Sequence, residues 1–452
     1  MKKLSAMRIL WLLIAVIFHT DIVYSQDWVK LAAKQDSAEY LRKIKASDYK
    51  IDKNRSLEQI SHWVTDNSIS GDSLYQLLRN WNQYPVASKT GIICEFSLQL
   101  DSNYTVPYLV YIPKGYDPKR ASSLLVYYKG GWLSRKERPA NYTKEIITDN
   151  PTFSYLEKEN IIELFPVLDS KLAIYGYYGY KHLTEMIAAT KKLLNIDDNK
   201  VFLSGFSDGG KTVYNAYGFL QSPFACFYAI NGMFVSPPEY ANFVNRPVVS
   251  FVAEKDELTV PKSILTKALF AQKLGADWNY RLMKDKRHYY KPYQSDLLPV
   301  LFAHLKTQSR NPIPPTLTYH SSTNYEDFHG VDWLQVKVNT KKTPSLFHRT
   351  DSVYTFAGDG EERNYLYGTN TGQAQASYFN NTFTITASQL DEVTVYISPL
   401  IVDMSSPVKV IVNGKELFND KVSFSKSFMA ERFLYFFDRQ QVWVNKVVVA
   451  VE

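Results

Sequence analysis

Gly205-Phe206-Ser207-Asp208-Gly209-Gly210, set just behind the apolar run Val201-Phe202-Leu203, decides how this chain is read. The apolar run has the character of a buried strand, and the residues from Asp208 to Leu220 have helical spacing. The quoted stretch is therefore a strand-to-helix turn, and it fits the pattern G-x-S-x-G. A serine that must present its hydroxyl to a base has to project from a very tight turn. Such a turn leaves no room for side chains two residues to either side, hence glycine at both places. Gly210 adds further room. In this context Ser207 is the candidate nucleophile rather than a solvated turn serine.

Strand-like and helix-like runs alternate around the turn. Residues 122–128, 161–166, 227–234, 248–252 and 279–283 read as strands, and 181–194, 262–274 and 296–306 as helices. Residues 92–100 and 104–112, joined by Asp101-Ser102-Asn103, read as a hairpin. Alternation of this kind predicts a mostly parallel sheet covered by helices on both faces, an α/β-hydrolase fold over residues 89–309.

In that fold an acid and a histidine follow the nucleophile in chain order, each on a loop after a strand. The strand over 247–253 is followed by Glu254-Lys255-Asp256-Glu257, and Asp256 is the candidate acid. Glu254 and Glu257 are rivals, and Asp285 is a more distant one. After the strand over 279–283 comes Lys286-Arg287-His288-Tyr289, which makes His288 the candidate base. His304 falls inside the last helix and reads as structural. The oxyanion of an acyl intermediate would be held by backbone N–H groups of Asp208 and of Gly131, in Lys129-Gly130-Gly131-Trp132. Lys129 and Trp132 are the substrate-binding candidates, with Lys129 facing solvent as the alternative.

The ends of the chain differ from this middle. Lys2, Lys3 and Arg8 precede an apolar run over 9–18, and Val23-Tyr24-Ser25 supplies a cleavage site. This pattern predicts a secretory signal peptide over 1–25, cut before Gln26, and hence a secreted or periplasmic protein. The run has half of the about 20 apolar residues that a membrane span needs. Residues 26–88 read as a helical extension, with Trp28, Leu31 and Ala32, then Leu74, Leu77, Leu78 and Trp81, at helix-like spacing. Asn311-Pro312-Ile313-Pro314-Pro315 marks a proline-rich linker over 310–316. Residues 317–452 carry short, alternating, β-branched runs, with the hairpin turn Asn413-Gly414 between two of them, and read as an all-β sandwich.

A chain of 452 residues suggests two or three domains. Its net charge of +7 comes without a dense Lys/Arg block, so nucleic-acid binding gains no support. No H-E-x-x-H, C-x-x-C or phosphate-loop pattern occurs, so neither metal nor cofactor is expected. The two cysteines, Cys94 and Cys226, either pair or serve as small buried hydrophobes; the sequence leaves this open.

Tyr111-Ile112-Pro113-Lys114-Gly115-Tyr116-Asp117, the run from Leu124 to Gly131, and Gly205 to Gly210 resemble the prolyl-oligopeptidase-like and the polyhydroxybutyrate-depolymerase and feruloyl-esterase-like branches of the α/β hydrolases. The resemblance covers about residues 91–308. Val331-Asp332-Trp333-Leu334 and residues 402–415 look like a β domain that follows such hydrolases in exported bacterial proteins. Relatives usually carry His-Gly-Gly where this chain has Lys129-Gly130-Gly131, which puts the shape of the oxyanion loop in question. The resemblance implies a serine hydrolase that cleaves carboxylic esters, including acyl groups on polysaccharides. A prolyl-oligopeptidase-type peptidase is one alternative. A weak or inactive hydrolase-fold protein that binds glycans is another.

Overall fold

The computed structural model describes residues 43–45, 55–85, 90–101, 104–131, 142, 152–168, 172, 177–233, 240–321, 330–343, 352–357, 360–365 and 371–451. The signal segment over 1–25 and Trp132 lie outside the described residues.

Among the described residues, nine strands form the main sheet. They are β1 (Lys43–Lys45), β2 (Ile92–Asp101), β3 (Tyr104–Ile112), β4 (Ser122–Tyr128), β5 (Ile162–Pro166), β6 (Ile196–Phe206), β7 (Cys226–Ile230), β8 (Val248–Ala253) and β9 (Trp278–Met283). Their order is β1-β2-β3-β5-β4-β6-β7-β8-β9. The β2–β3 and β3–β5 pairs are antiparallel, and from β5 through β9 every pair is parallel. Strands β5, β7 and β8 are buried along their whole length, as parallel strands covered on both faces must be. Helices α3 (Phe153–Glu159), α4 (Tyr177–Leu193), α5 (Asp208–Phe219), α6 (Pro261–Lys273) and α7 (Gln294–Thr307) come from the connections. Separate apolar clusters line the two faces, one including Val126, Leu203 and Val213, the other Phe202, Phe251 and Leu301. This is the α/β-hydrolase fold.

A sandwich of a five-stranded and a four-stranded sheet follows. The first has the order β10 (Thr316–Ser321), β15 (Gly372–Phe379), β16 (Thr382–Ser388), β18 (Val408–Val412), β19 (Lys415–Asp420). The second has β11 (Gly330–Val331), β12 (Leu334–Val338), β17 (Leu390–Ile397), β20 (Asn445–Ala450). A hairpin of β13 (Ser352–Ala357) and β14 (Gly360–Tyr365) forms a separate two-stranded sheet beside α6. Trp333, Phe383, Ile385, Val393 and Val395 belong to one core that joins both sheets. Asn413 and Gly414, both at positive φ, make the tight β18–β19 turn.

Four expectations need correction. Within the region read as a helical extension, β1 is a strand that pairs parallel with β2 at the sheet edge; α1 (Arg55–Thr65) and α2 (Gly71–Arg79) come after it. The sandwich is not all β, because α8 (Lys426–Phe436) lies within it, opened by the Ser425 side chain accepting from Phe428 N–H. The sequence of α8 is rich in Phe and Tyr, residues that favour strands, so local preference pointed the wrong way. The strand read over 227–234 ends at Ile230, where Asn231 turns at positive φ. The helix read over 181–194 begins earlier, at Tyr177, and ends at Leu193.

Cys94 and Cys226 are both free and buried, on β2 and β7. Four strands separate them in the sheet, so they act as small core hydrophobes.

Candidate active site

Ser207 stands between β6 and α5 with φ 55° and ψ −115°. For a residue with a Cβ this conformation costs about 1–3 kcal/mol. Close packing holds it. A Cβ at Gly205 would fall 2.3 Å from the Gly209 carbonyl, and one at Gly209 only 1.9 Å from the carbonyl oxygen of Tyr128 on β4. Neither distance is tolerable, so the two glycines are dictated by the approach of α5 to the sheet. The Ser207 N–H donates to the Ile230 carbonyl at 2.9 Å, and its own carbonyl accepts the Lys211 N–H at 2.9 Å. The elbow is thus tied to β7 and to the first turn of α5.

His288, on the loop after β9, sets Nε2 2.9 Å from Ser207 Oγ. Its Nδ1 lies 2.9 and 3.0 Å from the two oxygens of Asp256, on the loop after β8. Folding therefore gathers Ser207, His288 and Asp256 into one hydrogen-bonded chain, each from the loop where the alternating pattern placed it. The Asp256 side chain is fully buried and that of His288 almost so. Burial pushes the Asp256 carboxyl up, but the hydrogen bond and charge of His288, the Leu258 N–H at 2.8 Å and the Thr259 side chain outweigh it. The net direction is down, which keeps the carboxylate ionised against the imidazole.

The rival acids point elsewhere. Glu254 accepts the Asp285 N–H at 2.8 Å, and Asp285 pairs with Lys255 at 2.6 Å on the surface. Glu257 accepts the backbone N–H of His288 at 3.2 Å, which steadies the base loop without touching the ring. His304 lies in α7, with Nδ1 2.8 Å from the Tyr228 hydroxyl. The Lys129-Gly130-Gly131 loop reaches the nucleophile: a Cβ at Gly130 would meet Ser207 Cβ and the Phe206 carbonyl at 2.9 Å. Gly131 sits at φ 74°, with no heavy atom of the described residues within 4 Å of a Cβ placed there, and Lys129 is half-buried just after β4. Asp208 opens α5, with its backbone at the helix N-terminus.

No known family model matches the chain, and no curated protein matches it by sequence. Solved structures do. A thermostable esterase is 17% identical, at a TM-score of 0.39 over 48% of this chain, which spans 63% of that one. Apo esterase 2 of Thermogutta terrifontis is 14% identical, at a TM-score of 0.39 over 50% of this chain and 98% of that one. A putative dipeptidyl aminopeptidase IV from Bacteroides ovatus is 12% identical, at a TM-score of 0.39 over 47% of this chain and 35% of that one.

Two contributors escaped the sequence reading. Asn231, buried at the end of β7, accepts the Ala253 N–H through Oδ1 at 2.9 Å. Its Nδ2 donates to the His288 carbonyl and, at 2.8 Å, to the Tyr293 hydroxyl. One side chain thereby joins the ends of β7 and β8 to the base loop. Asn231-Gly232 is a turn dipeptide, and that signal was available. Phe206, the variable residue of the elbow, places its ring 5.2 Å from the His288 ring and 4.9 Å from that of Tyr290. Only the folded chain brings those rings together.

Proposed function

We propose that this chain is a serine hydrolase acting on carboxylic esters through an acyl-enzyme intermediate. The 2.9 Å approach of His288 Nε2 to Ser207 Oγ, with Asp256 behind the ring, supports this reading above all else. A serine hydroxyl is a poor nucleophile until a base takes its proton. His288 would take it as Oγ attacks the acyl carbon, and Asp256 would fix the tautomer and stabilise the imidazolium. The backbone N–H groups of Asp208 and Gly131 would receive the oxyanion. His288 would then protonate the departing alcohol, and a water activated by the same ring would release the acid. Lys129 and Trp132 would border the acyl site. The charged and apolar pattern of residues 2–25 supports export, with cleavage before Gln26; ester-linked acyl groups of polysaccharides are the substrate we propose.

Hydrolysis of short aryl esters by wild type and Ser207→Ala tests the chemistry. Turnover should fall on the order of 10⁶-fold in the variant. Equal rates would defeat the proposal. A fluorophosphonate probe should label wild type and not the variant. Aminoacyl and prolyl anilides run beside the esters decide between ester and peptide bonds. The N-terminal residue of the secreted protein, expected to be Gln26, tests export.

A further inference from the structure

A cavity lies where the hydrolase fold meets the sandwich, remote from Ser207. It holds about 80 Å³ of space for water-sized bodies and is partly open to solvent. Its wall takes Ile187 of α4 and Phe219 and Leu220 at the end of α5 from one side, and Val331, Leu334 and Trp443 from the other. Ser207 stands at the opposite end of α5, whose twelve residues span about 18 Å. The wall is mainly apolar, as in sites that hold an aromatic or aliphatic body.

The charges in the wall decide what else the ligand carries. Asp438 is bound by Arg310 at 2.9 Å and Lys191 at 3.4 Å, and Lys191 also meets Asp198 at 2.9 Å. Asp332 is held by Arg246 at 2.6 Å and by Gln441 at 2.7 Å. Both carboxylates are thus already neutralised. Arg432 is different. Its guanidinium lies 4.9 Å from the centroid of Tyr396 and 4.7 Å from that of Phe436, both lining the cavity. It makes no ion pair among the described residues, and its buried Nε has no hydrogen-bond partner. Ring faces orient an arginine without using its in-plane N–H donors. A planar cation fixed in this way, with its Nε–H unmet beside an apolar wall, suits a carboxylate or sulfonate.

We propose that this cavity binds an amphipathic organic anion, an aromatic or aliphatic body seated on Phe219, Leu220 and Trp443 with its acidic group on Arg432. The site is independent of Ser207 and of the proposed chemistry.

Fluorescence titration with 8-anilinonaphthalene-1-sulfonate, beside the uncharged N-phenyl-1-naphthylamine, tests it. Wild type and Ser207→Ala should bind both probes saturably, with competition between them. Arg432→Met should weaken the sulfonate about tenfold or more and leave the neutral probe unchanged, which also shows that the variant is folded. Arg432→Gln reads the same contrast should the methionine variant fail to fold. Competition by 3-phenylpropanoate but not by 3-phenylpropanol in wild type is the parallel expectation for a carboxylate. Equal sulfonate affinity in wild type and a folded Arg432 variant overturns the proposal, as does a lack of saturable binding in wild type.

Discussion

At residue 231 a single carboxamide reaches three partners that the chain brings from far apart: the Ala253 amide, the His288 carbonyl and the Tyr293 hydroxyl. Alanine there would leave the buried Ala253 N–H without its acceptor and free the base loop to shift. A displacement of about 1 Å between reacting groups can cost on the order of 10²-fold in rate. Asn231→Ala should therefore lower kcat on an aryl ester about 10²-fold while KM moves little and the thermal transition persists. A proportional rise in KM with kcat intact would show that Asn231 serves substrate binding instead. The contrast with Ser207 explains what was legible at this scale. The requirement for glycine around Ser207 repeats within five residues and therefore leaves a local trace. The need for Asn231 arises from partners 22 to 62 residues away, and no local pattern can carry it. Asp256 and His288 lie between these cases, readable because each follows a strand that was itself readable.

Among the elements, the long apolar strands and amphipathic helices of the hydrolase fold followed their periodicity closely; β4 has the bounds expected of it. The short edge strand β1 and the helix α8 did not, because tertiary partners decide both. Helices α1 and α2 share the core of the sandwich rather than that of the hydrolase sheet, with Ile60, Leu74, Leu78 and Trp81 buried beside Phe433 and Phe437. Lys426 of α8 donates to the carbonyls of Trp63, Asp66 and Ile69, placing a cation at the C-terminal end of α1. Trp81 meets Trp63 and Phe437 edge-on at 5.7 Å. Truncation of such a buried indole costs about 3–5 kcal/mol. Trp81→Ala should therefore loosen α1 and α2 from the sandwich, seen as faster proteolysis between residues 55 and 85 in limited digestion. Unchanged cleavage kinetics would mean that these helices are held by contacts other than this ring.

For the molecule as a whole, the join between hydrolase and sandwich is a buried ionic lattice rather than a tether. The proline-rich segment is fixed within it: Trp333 donates to the Pro314 carbonyl at 2.8 Å, and the Arg310 N–H donates to Asn199 at 2.8 Å. Arg439 links Asp198 of β6 at 2.7 Å to the Trp81 carbonyl at 3.3 Å, so the first helices, the central sheet and the last segment meet at one guanidinium. Asp438 is the hub. Burial pushes its carboxyl up, but the charges of Arg310 and Lys191 outweigh this and hold it well below the usual carboxylate range. A carboxyl with a depressed folded-state value stabilises the fold above its unfolded value and loses that contribution as pH falls toward the folded one. Stability supplied by Asp438 should therefore be complete at neutral pH and decline from about pH 4 downward. Removing one partner of a buried pair leaves the others uncompensated, at about 3–5 kcal/mol. Asp438→Ala should lower the urea midpoint at pH 7 and show a shallower further loss than wild type as the pH falls below 4. Parallel curves for the two proteins across that range would place the acid sensitivity in other carboxylates and leave Asp438 a purely geometric role.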